Sequence, residues 1–202
     1  MAIFHSTTKI ISRSKGRSAV AAAAYRAGEA LYNLREERMH NFTKKKGIAY
    51  KQIILPPEAP EEFYHREILW NAVEAVEKRK DAQTAREIEL ALPQELDLSE
   101  QIKLLEEYTR TNFVNIGMCV DLAIHDKKDG NPHAHILLTM RSVTPDGFGK
   151  KARGWNDRGN VIKWRQAWAY ACNEKLKKKT TRQIWTREAT KTKGLVKFLP
   201  ST

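Results

Sequence analysis

Residues 117–141, GMCVDLAIHDKKDGNPHAHILLTMR, hold two apolar runs on either side of a cluster of turn formers. The runs, 117–125 and 133–141, have strand length, and DKKDGNP between them supplies Asp, Gly, Asn and Pro. An antiparallel hairpin with a longish loop is expected. Neighbouring strand side chains point to opposite faces, so His133 and His135 share one face while Ala134, Ile136 and Leu138 take the other. His125 ends the first run with Asp121 on its face, and Val120, Leu122 and Ile124 oppose it. Three imidazoles can therefore converge at one point outside the apolar face. Three neutral nitrogens with coordination positions left over make a catalytic kind of metal site rather than a closed structural one. A lone histidine is more often a solvated or hydrogen-bonded group, and His5, His40 and His65 are read that way, although His5 could flank the site from the first strand.

The rest of the chain surrounds this hairpin with alternating strands and helices. Residues 2–11 read as a strand, 12–17 as a basic, Gly-containing turn, and Ser18 as the N-cap of an alanine-rich helix over 19–34. A strand over 47–55 is closed by Pro56-Pro57, and apolar residues at helical spacing predict a helix over 60–80. Residues 84–92 read as a strand stopped by Pro93, and Ser99 opens a helix ending near Asn112. A Gly-rich basic loop, 146–158, precedes an amphipathic helix over about 161–178. This order, with its closing hairpin, fits an α+β domain with a central, mainly antiparallel β-sheet flanked by α-helices and an active site on one sheet face. The expected division is a domain over 1–180 and a basic tail over 181–202, either a frayed end or the start of a further region.

Composition narrows the function. A chain of 202 residues, 41% hydrophobic and 30% charged, is globular and can bury a core without disulfides. Its two cysteines, Cys119 and Cys172, exclude a disulfide scaffold and fit a reducing compartment. No apolar run reaches bilayer length and no leader pattern opens the sequence, so a cytoplasmic protein without membrane insertion is expected. Lysine and arginine (36) outnumber aspartate and glutamate (24), a net charge of +12 that points to a nucleic-acid partner.

Other residues can be assigned chemistry. Glu87 and Glu89 share one face of the strand TAREIELAL, opposite Arg86, Ile88 and Leu90. Paired carboxylates on such a strand mark either a solvent edge or an active-site face, where one could orient a histidine or accept a proton. Tyr25 and Tyr32, seven apart on the expected helix, are either core aromatics or groups presented beside small alanines, with Arg26 next to the first. Arg13, Lys15 and Arg17 in the turn, Arg26 on the helix, and Lys150, Lys151 and Arg153 in the later loop, are candidates for DNA contacts. Trp155 lies in that loop and can stack on a base, whereas Trp164 and Trp168, i and i+4, fit a core.

Four segments together carry a family resemblance: MAIFH with SRSKGRSAVAAAAYR, then KRKDAQTAREIELALPQEL, then DLAIHDKKDGNPHAHILLTMR, then WRQAWAYACNEKL. In this order they resemble the relaxase domain of the MobA/MobL family, plasmid mobilisation nickases within the wider HUH endonucleases. The resemblance implies a bacterial, plasmid-encoded enzyme that cuts and rejoins one DNA strand at a transfer origin through a 5′-phosphotyrosyl intermediate. It implies Tyr25 as nucleophile, His125, His133 and His135 as ligands of a divalent metal, and Glu87 as the acidic residue nearby, with Glu89 its neighbour. Asp121, on the His125 face four residues back, is a further candidate for the support role on strand geometry. Mg²⁺ or Mn²⁺ is the expected ion, and nitrogen ligands would also take Ni²⁺, Co²⁺ or Zn²⁺. The implied partners are single-stranded DNA with an adjacent hairpin, accessory relaxosome proteins and a coupling protein. Other classes remain open at this point. A rolling-circle replication initiator would share the site and differ in its DNA target. A three-histidine hydrolase or oxygenase would have no need of the charge or of Tyr25, and a non-catalytic DNA-binding protein would leave the histidines idle.

Overall fold

The computed structural model describes residues 5–195, with side chains as far as residue 180, so residues 2–4 of the expected first strand lie outside it. Its centre is an antiparallel five-stranded sheet in the order β1-β5-β7-β6-β4. The strands are β1 (Ser6–Ser12), β4 (Ile48–Ile54), β5 (Gln83–Ala91), β6 (Val120–His125) and β7 (His133–Thr139). The expected hairpin forms β6 and β7, whose register pairs Leu122 with Ile136 and His125 with His133. β7 is also paired to β5, so the histidine strand lies at the middle of the sheet with a neighbour on each side.

Both faces are covered. On one, α3 (Leu98–Asn112) and the first turns of α4 (Arg158–Leu195) pack Leu105, Tyr108, Trp164 and Trp168 against Ile88, Leu122, Ile136 and Leu138. On the other, α1 (Ala19–Ala27) and α2 (Arg66–Val76) pack Val20, Leu69, Trp70 and Val73 against Ile11, Ala85 and Leu137. Trp70 and Trp168 are fully buried, and truncating either to Ala is expected to cost about 3–5 kcal/mol. The α+β class with a central antiparallel sheet is as expected.

Several local expectations are corrected. The alanine-rich helix ends at Ala27, not at residue 34, because Gly28 adopts φ +62° and closes it. The chain then forms a two-stranded ribbon, β2 (Ala30–Asn33) and β3 (Arg38–Asn41), so Tyr32 lies on a strand and not on the helix of Tyr25. The expected basic loop over 146–158 is partly a second ribbon, β8 (Arg141–Thr144) and β9 (Gly147–Lys151). α3 is capped by Asp97, whose carboxylate accepts from the Glu100 N–H while the Glu100 side chain accepts from the Asp97 N–H, and not by Ser99. α4 continues past 178 to Leu195. Ser18 does cap α1, accepting a bond from the Ala21 N–H. Among the described residues no helix is long and apolar enough to cross a membrane.

Candidate metal centre and the helix beside it

The hairpin brings its three histidines together as the strand pattern requires. His125 and His133 are cross-strand partners at the open end of the hairpin loop, and His135 lies one pleat further along β7. Ring centroids are 4.6 Å apart for His125 and His135, 5.2 Å for His133 and His135, and 5.5 Å for His125 and His133. One ligand atom from each lies within 4.8 Å of the other two, a cluster that could hold a metal ion.

The hydrogen bonds decide which nitrogen of each ring is free. Nε2 of His125 lies 2.7 Å from the Arg26 carbonyl, Nδ1 of His133 lies 2.9 Å from the Asn131 carbonyl, and Nδ1 of His135 lies 2.9 Å from the Glu87 carboxylate. Carbonyls and carboxylates only accept, so each of these nitrogens carries the proton. In the neutral rings, that leaves Nδ1 of His125 and Nε2 of His133 and His135 with their lone pairs free. A ligating histidine bonded through its other N–H to a carbonyl or carboxylate is the usual support of a metal site. Burial pushes the His125 imidazolium down to about 4, against the bond to the Arg26 carbonyl and with help from the neighbouring rings and Lys45. The ring is therefore neutral at physiological pH, as metal ligation requires.

Glu87 joins this cluster to α1. It is buried on the histidine face of β5, between His135 and the Arg26 guanidinium, with which it forms an ion pair. Burial would raise its carboxyl, but the bonds from His135 and Arg26 hold it down at about 2. Glu87 is thus ionised throughout the physiological range, better suited to orient His135 than to take up a proton. Arg26 therefore touches the cluster twice, through its side chain to Glu87 and through its carbonyl to His125. Tyr25, the preceding residue, is 48% exposed. It lines a cavity of about 790 Å³ with Lys9, Arg17, Arg26, His40 and Glu87.

Not every candidate bonds to the histidines. Glu89 is opposite His135 in register and feels its charge, but its hydrogen bond is to Lys9 at 3.2 Å. Asp121 lies on the histidine face, yet its carboxylate accepts from Arg66 and from the Trp70 indole and is used up in packing α2 against the sheet. Four residues along a strand, about 13 Å, separate it from His125. The expectation that Asp121 supports the histidines is corrected on that ground. Arg13 is corrected too. Its guanidinium is buried on Glu74 and on the Glu74, Glu77 and Arg79 carbonyls, so it faces no solvent phosphate. Lys151 is paired to Glu77 and the Gln83 carbonyl, and Trp155 packs half-buried against the α3–α4 core. Lys15, Arg17, Lys150 and Arg153 are exposed, and Arg26 serves Glu87. His5 is exposed.

Sequence reasoning passed over Arg66, Glu74 and Lys45. Arg66 links Asp121 to Glu29, just beyond α1, and Glu74 accepts the Ala19 N–H at the start of α1. Neither has a local signature, since each partner is more than thirty residues away. Lys45 lay in the run TKKKG, where a lysine reads as a solvated charge.

The pattern of the MobA/MobL family matches residues 17–197. The conjugal transfer protein TraA of Agrobacterium fabrum is 40% identical over 161 residues, covering 75% of this chain and 14% of its own length. The mobilization protein MobL of Acidithiobacillus ferridurans is 40% identical over 178 residues, covering 75% of this chain and 46% of its own. The chain thus spans less than half the length of either relative. A solved structure described as "Molecular Basis of Vancomycin Resistance Transfer in Staphylococcus aureus" superposes with a TM-score of 0.83 at 35% identity, over 88% of this chain and 94% of that one. With a match running through most of its length, the chain belongs to the MobA/MobL family.

Proposed function

We propose that this domain is a relaxase, which nicks one DNA strand at a plasmid transfer origin and reseals it after transfer. The observation that carries the reading is the double tie of Arg26: the residue next to Tyr25 is bonded to His125 and, through Glu87, to His135. A tyrosine on an exposed helix end, lining a cavity with Arg26 and Glu87, is thereby coupled to the three-histidine cluster. The names of the relatives, conjugal transfer and mobilization proteins, favour a transfer origin over a replication origin.

In this reading the Tyr25 oxygen bonds to phosphorus, the bond from phosphorus to the 3′ oxygen breaks, and a 5′-phosphotyrosyl protein and a free 3′-hydroxyl result. One phosphate ester replaces another, so the step is close to neutral and can run backwards. His125, His133 and His135 would hold a divalent ion, Mg²⁺ or Mn²⁺ by family. When bound, such an ion supplies Lewis-acid withdrawal of charge from a phosphate oxygen. Glu87 fixes the His135 tautomer, and Arg26 fixes that of His125. Lys15, Arg17, Lys150 and Arg153 contact backbone phosphates, which position the strand without reading its sequence. A hairpin beside the nick, accessory relaxosome proteins and a coupling protein belong to the same reading, in the bacterial cytoplasm.

The test uses labelled single-stranded oligonucleotides tiled across the DNA flanking the gene, incubated with Mg²⁺ or Mn²⁺ and resolved on a denaturing gel. A covalent, metal-dependent adduct with the native chain is expected, lost in Tyr25→Phe and kept in Tyr32→Phe. An adduct that survives Tyr25→Phe, or that forms in metal-free protein with EDTA, overturns the assignment.

A further inference from the structure

Tyr25 belongs to a helix that does little to hold its ring. The residues that precede it, Ala21, Ala22, Ala23 and Ala24, are too small to grip a phenol. The ring is instead clasped by residues 42–47, which join β3 to β4. Phe42 meets it edge-on, with centroids 5.3 Å apart at 89°. The Lys45 ammonium lies over its face, 3.6 Å from the centroid, and donates to the Tyr25 carbonyl at 2.9 Å. The loop is itself wired to the end of α1: the Phe42 N–H donates to the Glu29 carbonyl, and the Lys45 N–H turns back to the Phe42 carbonyl.

We infer that Lys45 is a positioning residue for the reaction of Tyr25, holding the phenol ring and placing a positive charge over it as negative charge develops on the phenolic oxygen. This rests on the reading of Tyr25 as nucleophile. A cation over an aromatic face is attracted by the ring's electron density. That density rises as the phenol becomes phenolate, so the contact strengthens along the reaction, which is the condition for accelerating a chemical step. The same contact favours rejoining, where the phenolate is the leaving group. Lys45 keeps its protons throughout. The phenolic proton passes to solvent, and the released 3′ oxygen takes one from solvent.

The surroundings show that the ammonium is not held there merely as a surface ion pair. The charges felt at Lys45 are Arg26 on α1, Lys127 on the β6–β7 loop and Glu87 on β5, two cations against one carboxylate. Burial and the two cations bring the ammonium down to about 8, so it is still charged at neutral pH. A lysine kept charged in such a place, on the ring of one particular tyrosine, has the character of a tuned site residue.

The test compares Lys45→Met, which keeps an unbranched chain without charge, with Lys45→Arg, which keeps the cation. Single-turnover adduct formation is measured at saturating oligonucleotide, alongside oligonucleotide affinity and the thermal midpoint. Lys45→Met is expected to slow the chemical step roughly 3- to 10-fold, the size of a half-exposed cation–π contact. Affinity should stay within about threefold, since a single backbone charge contributes little. Lys45→Arg should recover most of the rate. A second readout needs no turnover: the ¹⁹F resonance of 3-fluorotyrosine at position 25 should move in Lys45→Met and stay near its native position in Lys45→Arg. A native rate in Lys45→Met, or equal losses in Met and Arg variants of unchanged thermal midpoint, overturns the proposal. Tyr25→Phe in the same assay separates the two readings. If its adduct persists, the nucleophile assignment fails; if its adduct is lost while Lys45→Met is unimpaired, only the role of Lys45 fails.

Discussion

The backbone carbonyl of Arg26 accepts the Nε2 proton of His125 at 2.7 Å, across 99 residues of sequence. A backbone acceptor cannot be removed by changing a side chain, so the His125 tautomer is fixed by where α1 ends against β6. The counterpart on His135 is a side chain, Glu87, and can be removed. The two bonds do the same work on two rings of the cluster, and only one is open to simple mutation.

Glu87→Gln should therefore weaken metal binding without abolishing it. Loss of a carboxylate that orients a ligating histidine typically costs 10- to 100-fold in metal affinity. Titration of the metal-free protein with Mn²⁺ by calorimetry is expected to show a loss of that size. Adduct formation should fall at limiting Mn²⁺ and recover when the metal is saturating. Because Glu87 is held at about 2 by His135 and Arg26, its removal should leave the shape of the rate profile between about pH 5 and 8 unchanged. A rate that stays low at saturating Mn²⁺ would instead make Glu87 the base for the tyrosine proton.

Replacing one of the three histidines should be more severe. His135→Ala removes one of three nitrogen donors and leaves the buried Glu87 with one partner fewer. Mn²⁺ affinity should drop by more than in Glu87→Gln, and adduct formation should not recover at millimolar metal. Recovery to the native level would show that two histidines suffice.

Acid stability can be read at Glu77, which is buried between Arg141 and Lys151. Burial raises its carboxyl, but these two cations outweigh burial and hold it below the ordinary range. A carboxylate lowered in the folded state stabilises above its unfolded value of about 4.3 and loses that contribution as pH falls below it. Glu77→Gln should be less stable than the native protein at pH 7, with the gap narrowing from about pH 4.5 downward. Urea unfolding at a series of pH values measures this, and a gap independent of pH would mean that the ion pairs add nothing.

What could be read from sequence was whatever has a short period. His125, His133 and His135 were legible because a strand alternates every two residues and a hairpin joins neighbours. Glu87 and Glu89 were legible as a pair on one face for the same reason, but not that Glu87 bonds to His135 while Glu89 bonds to Lys9. Those choices depend on which element packs above the sheet. Asp121 and Arg13 misled for a related reason. Each has the right residue type and face, and each is consumed by a distant partner, Arg66 and Glu74. The alanine run misled about length, because helix propensity carried the reading through Gly28, where a positive φ stops the helix.

Gly28 should accordingly tolerate little. Its φ of +62° suits glycine, and a Cβ built there would collide with Cδ1 of Ile48. Ile48 can swing its terminal methyl aside, so the backbone sets most of the penalty. Gly28→Ala should destabilise by about 1–2 kcal/mol. If its urea midpoint matches the native one, the turn that ends α1 is not held in the left-handed region.

The basic turn before α1 should divide into two kinds of arginine. Arg13 and Arg17 are four apart, and composition alone gives them the same role. Arg13 is buried on Glu74, and its guanidinium fastens the turn to α2. Arg17 is exposed and lines the cavity beside Tyr25. Removing one partner of a buried pair leaves the other charge without its partner, at a cost of about 3–5 kcal/mol. Arg13→Ala should therefore lower the unfolding midpoint sharply. Wherever it remains folded, its oligonucleotide binding should respond to salt as the native protein does. Arg17→Ala should leave the midpoint nearly unchanged. Each phosphate neutralised on a single strand contributes about −0.7 to the slope of log K against log salt, so Arg17→Ala should flatten that slope by about 0.7 and weaken all sequences alike. Lys15→Ala should behave as Arg17→Ala does. Measurements between about 50 and 300 mM salt resolve a change of this size. A flattened slope in Arg13→Ala, or a loss confined to one DNA sequence in Arg17→Ala, would reverse the division between the residue that builds the turn and the residue that meets the phosphate.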